Sequence, residues 1–297
     1  MTFKMRGIIR AAWPAAWPDL RPALRPTPRL CALAVVLATL LATLWPQAAQ
    51  AQVSEAVAET LMRLSGQWLQ LDSLASQTRK NLVQGLASGE SPPSAEVQQR
   101  VAAAVEAALG TQNMRDVARR VLATSLRAPY VPDLLRWYET PAAQAITQAE
   151  VEDTAADQGD LNARVSTGMA ALQAATPARQ ALLARIVEVT RAPQLSADMV
   201  INLGVLVPLT LSRFVAVPNL PAEPQLRASM NEQRPQLLKA FEVIALAGVA
   251  LAYRGIADEA LAAYANFLAS AAGEHYNDIG ERAFEAAMLE NIAAIKP

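Results

Sequence analysis

The chain has 297 residues, 53% of them hydrophobic and only 5% aromatic, and its formal net charge is −1. A charge so close to balance excludes the general electrostatic attraction to nucleic acid that clustered Lys and Arg would supply. One cysteine, Cys31, and one histidine, His275, exclude a disulfide framework and a zinc site of the usual nitrogen and sulfur ligands.

The first element in chain order reads as a secretory leader over residues 1–51. Lys4, Arg6, Arg10, Arg21, Arg25 and Arg29 form a basic flank, Cys31 to Trp45 is an uncharged apolar run, and Ala49, Gln50 and Ala51 make an Ala-x-Ala cleavage site. The run is shorter than the roughly 18–20 residues that cross a bilayer, so cleavage is expected over anchoring. Cys31 opens the run instead of following it and is badly placed for lipidation. The expected product is a soluble periplasmic protein starting near Gln52. The leader carries six of the 26 basic and one of the 27 acidic residues, so the remaining 246 residues hold a formal charge of −6 and no cysteine.

The remainder is rich in alanine and leucine, the leading helix formers, and shows no strand-turn-strand pattern. The fold class expected is all-α, a multi-helix bundle. Val53 to about Ala87 is amphipathic through Val57, Leu61, Leu64, Trp68 and Leu71. Ser94 caps a helix that stops at Gly110, and Thr111 can cap the next, which reaches Leu126. A short helix spans Asp133 to Tyr138. Thr140-Pro141 and Thr176-Pro177 are cap-plus-proline starts, the second leading a helix to Arg191. Met199 to Val217 is apolar on nearly all sides. A long helix from about Gln225 to Tyr253 is kinked or divided at Pro235, and two more run from Asp258 to about Ala269 and from Ala271 to Ile295.

The two halves, residues 52–175 and 176–297, look like copies of one helical unit packed into one body. Leu61 to Gly66 pairs with Ile186 to Arg191 at an offset of 125, and Trp137 to Ala143 pairs with Phe267 to Gly273 at 130. Thr140 and Ser270 are then equivalent helix caps. An apolar-apolar-x-apolar-hydroxyl start followed by aromatic-x-hydroxyl-Pro-x-Gly resembles the bacterial family called domain of unknown function 2059. Here Trp137, Tyr138, Thr140 and Pro141 carry the motif with Ala143 in the glycine position; Phe267, Ser270 and Gly273 carry it with Ala271 in the proline position. The resemblance implies a helical fold and an envelope location, and no activity.

Candidate chemistry is sparse. His275, between Glu274 and Tyr276, reads as a partly exposed side chain. Glu150, Glu152, Asp153, Asp157 and Asp160 form the densest acidic cluster, with Glu150, Asp153 and Asp157 on one helix face; lacking a calcium-loop pattern, they read as a solvated face. There is no nucleophile elbow and no phosphate-binding glycine loop. Trp68, Trp137, Tyr138 and Phe267 read as packed core. The segment from Met199 to Val217 reads as a central helix, too short and too interrupted by Pro208 to span a membrane. Its alternative is a groove for an apolar ligand through Met199, Leu203, Leu206 and Leu211. The expected function is a non-catalytic binding or interaction module without a cofactor, whose partner is an envelope protein or a small apolar ligand and which keeps no membrane span after leader cleavage. Its alternative is a hydrolase using carboxylates alone.

Overall fold

A computed structural model describes residues 52–88, 93–155, 160–215 and 219–297. The leader over residues 1–51, and Asp157 of the acidic cluster, lie outside them. Among the described residues there is no strand, only an isolated bridge between Gln52 and Arg127. The all-α expectation holds, and the order is α1 Glu55–Leu64, α2 Gln67–Ser88, α3 Ala95–Ala108, α4 Thr111–Ser125, a 3-10 turn Ala128–Tyr130, α5 Val131–Tyr138 and α6 Pro141–Ala155. Then come α7 Leu161–Ala174, α8 Pro177–Thr190, α9 Ala192–Leu211, α10 Glu223–Glu232, α11 Arg234–Ala252, α12 Asp258–Leu268 and α13 Ala271–Ala293.

Hydroxyl caps set several helix starts. The side chains of Ser54, Ser94, Thr140, Thr176 and Ser270 each accept a backbone N–H of the first turn. Thr111 does not cap α4; Gly110 occupies the cap position without a side-chain bond and Thr111 is the first helical residue. The single helix expected from Val53 to Ala87 is divided. Gly66 adopts φ +76°, a left-handed turn that glycine enters without Cβ strain. Pro235 divides the long C-terminal helix as expected, separating α10 from α11. Pro208 does not interrupt α9. It lies in the last turn, where losing one backbone N–H leaves the helix free to continue to Leu211.

Two apolar clusters form the interior. The first gathers Leu61, Leu71, Val105, Met114 and Leu122 from α1 to α4 with Ile279, Ala283 and Met288 of α13. The second gathers Leu183 and Ile186 of α8, Ala250 of α11, and Leu261 and Ala265 of α12 with Ile146 of α6. By its buried members each cluster takes one helix from the other half of the chain. Packing within the halves also corresponds: α2 packs on α3, α4 and α6, and α9 packs on α10, α11 and α13. Likewise α1 packs on α4 and α5, as α8 does on α11 and α12.

The apolar segment expected as a central helix is buried along one stripe, through Ala197, Ile201 and Val205, and again at Thr210 near its end. α9 packs against α10, α11 and α13, and most of its other side chains are half-buried. It and α11 are long and apolar enough to cross a membrane by length and composition, with 22% and 11% of the respective stretches buried.

Candidate functional site

The α5–α6 corner and the α12–α13 corner meet face to face. In each, the hydroxyl before the helix donates back to the carbonyl three residues earlier: Thr140 to Trp137 at 2.7 Å, Ser270 to Phe267 at 2.6 Å. In each it also accepts the N–H three residues on, from Ala143 at 3.2 Å and Gly273 at 3.1 Å. At Gly273 an added Cβ would lie 2.0 Å from the Phe267 carbonyl oxygen, so the second corner closes only with glycine. The rings that precede the two caps stack on each other, Trp137 on Phe267 with centroids 4.6 Å apart and planes 9° from parallel. Tyr264 is stacked on Trp137 at 6.1 Å, and Tyr138 meets Phe267 and Tyr276 edge-on.

Between these corners is a cavity of about 140 Å³. The end of α5 contributes Trp137 and Tyr138, α6 contributes Ala143, Ile146, Thr147 and Glu150, and α12 contributes Tyr264, Phe267 and Leu268. The α1–α2 turn closes another side with Ser65, Gln67 and Gln70, and α13 adds Gly273, Tyr276 and Asn277. Tyr138 is buried in the first apolar cluster and Trp137 and Phe267 pack half-buried against it, as expected, and all three also line this cavity. Trp68 packs as expected, buried, with the guanidinium groups of Arg63 and Arg115 over its ring at 4.0 and 4.4 Å.

Glu150 is the one acid on this wall. Its Oε1 accepts the Tyr253 hydroxyl at 2.5 Å and the Tyr264 hydroxyl at 3.1 Å. Burial pushes its carboxyl up from the usual 4.5, against the two phenol hydrogen bonds that favour the charged form. Part of its surface remains accessible because the cavity reaches it. Burial likewise raises the Tyr138, Tyr253 and Tyr264 hydroxyls well above 10, and raises Tyr276, so all four stay protonated. Tyr276 and Ser65 share a hydrogen bond at 3.0 Å, and Tyr276 also donates to Gln67 Oε1 at 3.3 Å.

The acidic cluster does not act as one face. Glu150 turns inward, whereas Asp153 pairs with Arg164 through both oxygens at 2.9 and 3.0 Å. Glu152 accepts Gln148 Nε2 at 2.6 Å, and Asp160 caps α7 through the Asn162 N–H at 2.8 Å. Among the described residues no three His, Cys, Asp or Glu side chains converge as a metal site. His275 accepts the Arg127 N–H through Nε2 at 3.2 Å and leans on Tyr130; partial burial is the first cause lowering its pKa.

The four groove residues are not gathered on one opening. Leu206 lines a separate cavity of about 360 Å³ with Val205, Leu209, Arg227 and Leu289. Met199, Leu203 and Leu211 instead pack, half-buried, against the first apolar cluster, as Leu206 also does.

The fold so defined is an all-α multi-helix bundle with a polar, tyrosine-walled cavity. The sequence matches no protein-family model and no curated protein, and the structure matches no solved structure.

Proposed function

We propose that this is an exported, non-catalytic binding module whose ligand site is the cavity around Glu150. One observation carries the reading: a partly accessible carboxyl, held through a single oxygen by two phenols, opens onto a cavity walled by stacked aromatic rings. Cavities of this kind, part aromatic and part polar, are where small ligands bind. A hydrolase working by carboxylates alone would need a second acid beside the first, and Glu150 is the only one lining this cavity. The basic flank, apolar run and Ala-x-Ala site of residues 1–51 support export to the periplasm.

The bundle is read as two similar helical units, as the internal sequence match at offsets of 125 and 130 suggests. Support comes from the matched capping bonds of Thr140 and Ser270 and from the corresponding packing of α1 and α8 and of α2 and α9. The buried residues of α1, Ala58, Leu61 and Met62, fall on Leu183, Ile186 and Val187 of α8 at the offset of 125 expected from sequence. On this reading the cavity lies between the two copies of one motif.

Native mass spectrometry of the protein released from envelope fractions, run beside a hydrolase substrate panel, tests the proposal. A chain beginning near Gln52 that carries a small non-covalent adduct and turns over no substrate is the expected result. Turnover abolished by Glu150→Gln would establish the enzyme instead.

A further inference from the structure

The hydrogen bonds around the cavity are unevenly shared. Both phenols that reach Glu150 bond to Oε1, and Oε2 accepts no hydrogen bond from the described residues. Tyr138 is buried and lines the same cavity, yet its hydroxyl has no partner among the described residues. Among the described residues no Lys, Arg or His lines the wall, and the Arg164 guanidinium of α7 is engaged by Asp153. The only formal charge that the described residues place at this site is thus negative and lacks a counter-charge. A buried carboxylate in that position either takes up a proton or acquires a cation.

We propose that the cavity takes a small organic cation bearing an N–H donor, a primary or secondary alkylammonium, whose N–H donates to Glu150 Oε2 beside the Tyr138 hydroxyl. The inference rests on the cavity being the ligand site. Size limits the ligand: at about 140 Å³ the space is close to cavities of roughly 150 Å³ that admit a benzene ring. Trp137, Phe267 and Tyr264, stacked on one another, give the carbon skeleton an apolar wall. The unpaired Oε2 fixes where the ammonium sits, because a charge-assisted N–H···O bond there supplies the missing partner.

Proton and ligand then compete for the same oxygen. Tyr253 after α11 and Tyr264 of α12 bond the carboxyl, and the same cavity is lined by the phenols Tyr138 of α5 and Tyr276 of α13 and by uncharged Ser65, Gln67 and Gln70 from the α1–α2 side. None of these titrates in the acid range, so a pH dependence there belongs to Glu150. Ammonium binding weakens as pH falls through the raised carboxyl pKa, and near that pKa each binding event releases a proton.

The test titrates the full chain with cyclopentylammonium, its neutral isostere cyclopentanol, and tetramethylammonium, which has charge but no N–H. Binding is followed by calorimetry and by the Trp137 indole NMR signal, assigned by its loss in Trp137→Phe. Expected at about pH 8 is a preference of about tenfold or more for cyclopentylammonium over both others, lost in Glu150→Gln and declining in acid. Tyr138→Phe removes a hydroxyl that has no partner among the described residues, so it folds as wild type and binds the ammonium several-fold more weakly. That variant keeps the proposal falsifiable if Glu150→Gln does not fold. Equal binding of cyclopentanol and cyclopentylammonium, or a preference that survives Glu150→Gln, overturns the cation and leaves the cavity as a ligand site. No Trp137 response to any probe leaves a cavity filled by water only, and overturns both.

Discussion

Two helical glycines on neighbouring helices should respond to the same substitution with opposite sign. Gly168 lies on α7 and Gly248 on α11, and these helices pack side by side. Replacing either glycine by alanine inside a helix gains about 0.5–1 kcal/mol, since it removes backbone freedom from the unfolded chain. At Gly248 the new methyl meets nothing within 4 Å, so that gain stands alone. At Gly168 the Cβ would sit 2.3 Å from the Ala247 carbonyl oxygen, 2.7 Å from its carbon and 2.8 Å from its Cα. All three are backbone atoms that no rotamer change can move. The helices must part by roughly 1 Å to restore van der Waals contact, and overpacking of this kind costs about 1–3 kcal/mol, more where backbone resists. Gly168→Ala should therefore lose about 1–2 kcal/mol net while Gly248→Ala gains up to about 1 kcal/mol. Urea unfolding of both variants, compared at their midpoints, measures the difference. If Gly168→Ala is as stable as Gly248→Ala, the close approach of α7 and α11 does not exist.

Further predictions concern the caps, the buried carboxyl and α9. Thr140→Ala and Ser270→Ala should each cost about 1 kcal/mol in denaturant unfolding, because each removes one equivalent capping hydroxyl. Since burial raises the Glu150 pKa, its protonated form contributes stability that is fully present below 4.5 and is lost as pH rises through the folded value. Glu150→Gln, always neutral, should melt progressively higher than wild type as pH rises; thermal melts across the acid-to-neutral range check the sign. Leu206→Asp puts a charge on a half-buried position beside both Arg227 and Glu290, and should cost about 1–3 kcal/mol in thermal melting while leaving ligand binding at the Glu150 cavity intact.

The helical skeleton was legible because its start signals are local. Ser94, Thr140-Pro141, Thr176-Pro177 and Ser270 announce helices that the backbone bonds then form. The break at Gly66 was masked by an apolar stripe that continues across it, so periodicity alone favoured one helix. α9 was read as central because its sequence has no polar face; packing covers one stripe and leaves the rest half-buried. Glu150 was the least legible residue. Its neighbours Glu152 and Asp153 are acids turned outward, and its tyrosine partners lie 103 and 114 positions further along the chain. Only the meeting of distant helices brings its two tyrosine partners to it and opens the cavity it lines. The pairing of Trp137 with Phe267 was the usable signal, since the sequence comparison of the two halves sets these residues opposite each other and they stack in space.

The most direct test of where ligands bind is amide hydrogen exchange of the full chain with and without a small-molecule extract of the cells that produce it. The cavity reading requires slowed exchange in the segments 141–155 and 258–268, which carry Glu150 and Tyr264. Protection confined to 192–211 would move the site to the apolar helix and contradict the assignment of the cavity around Glu150.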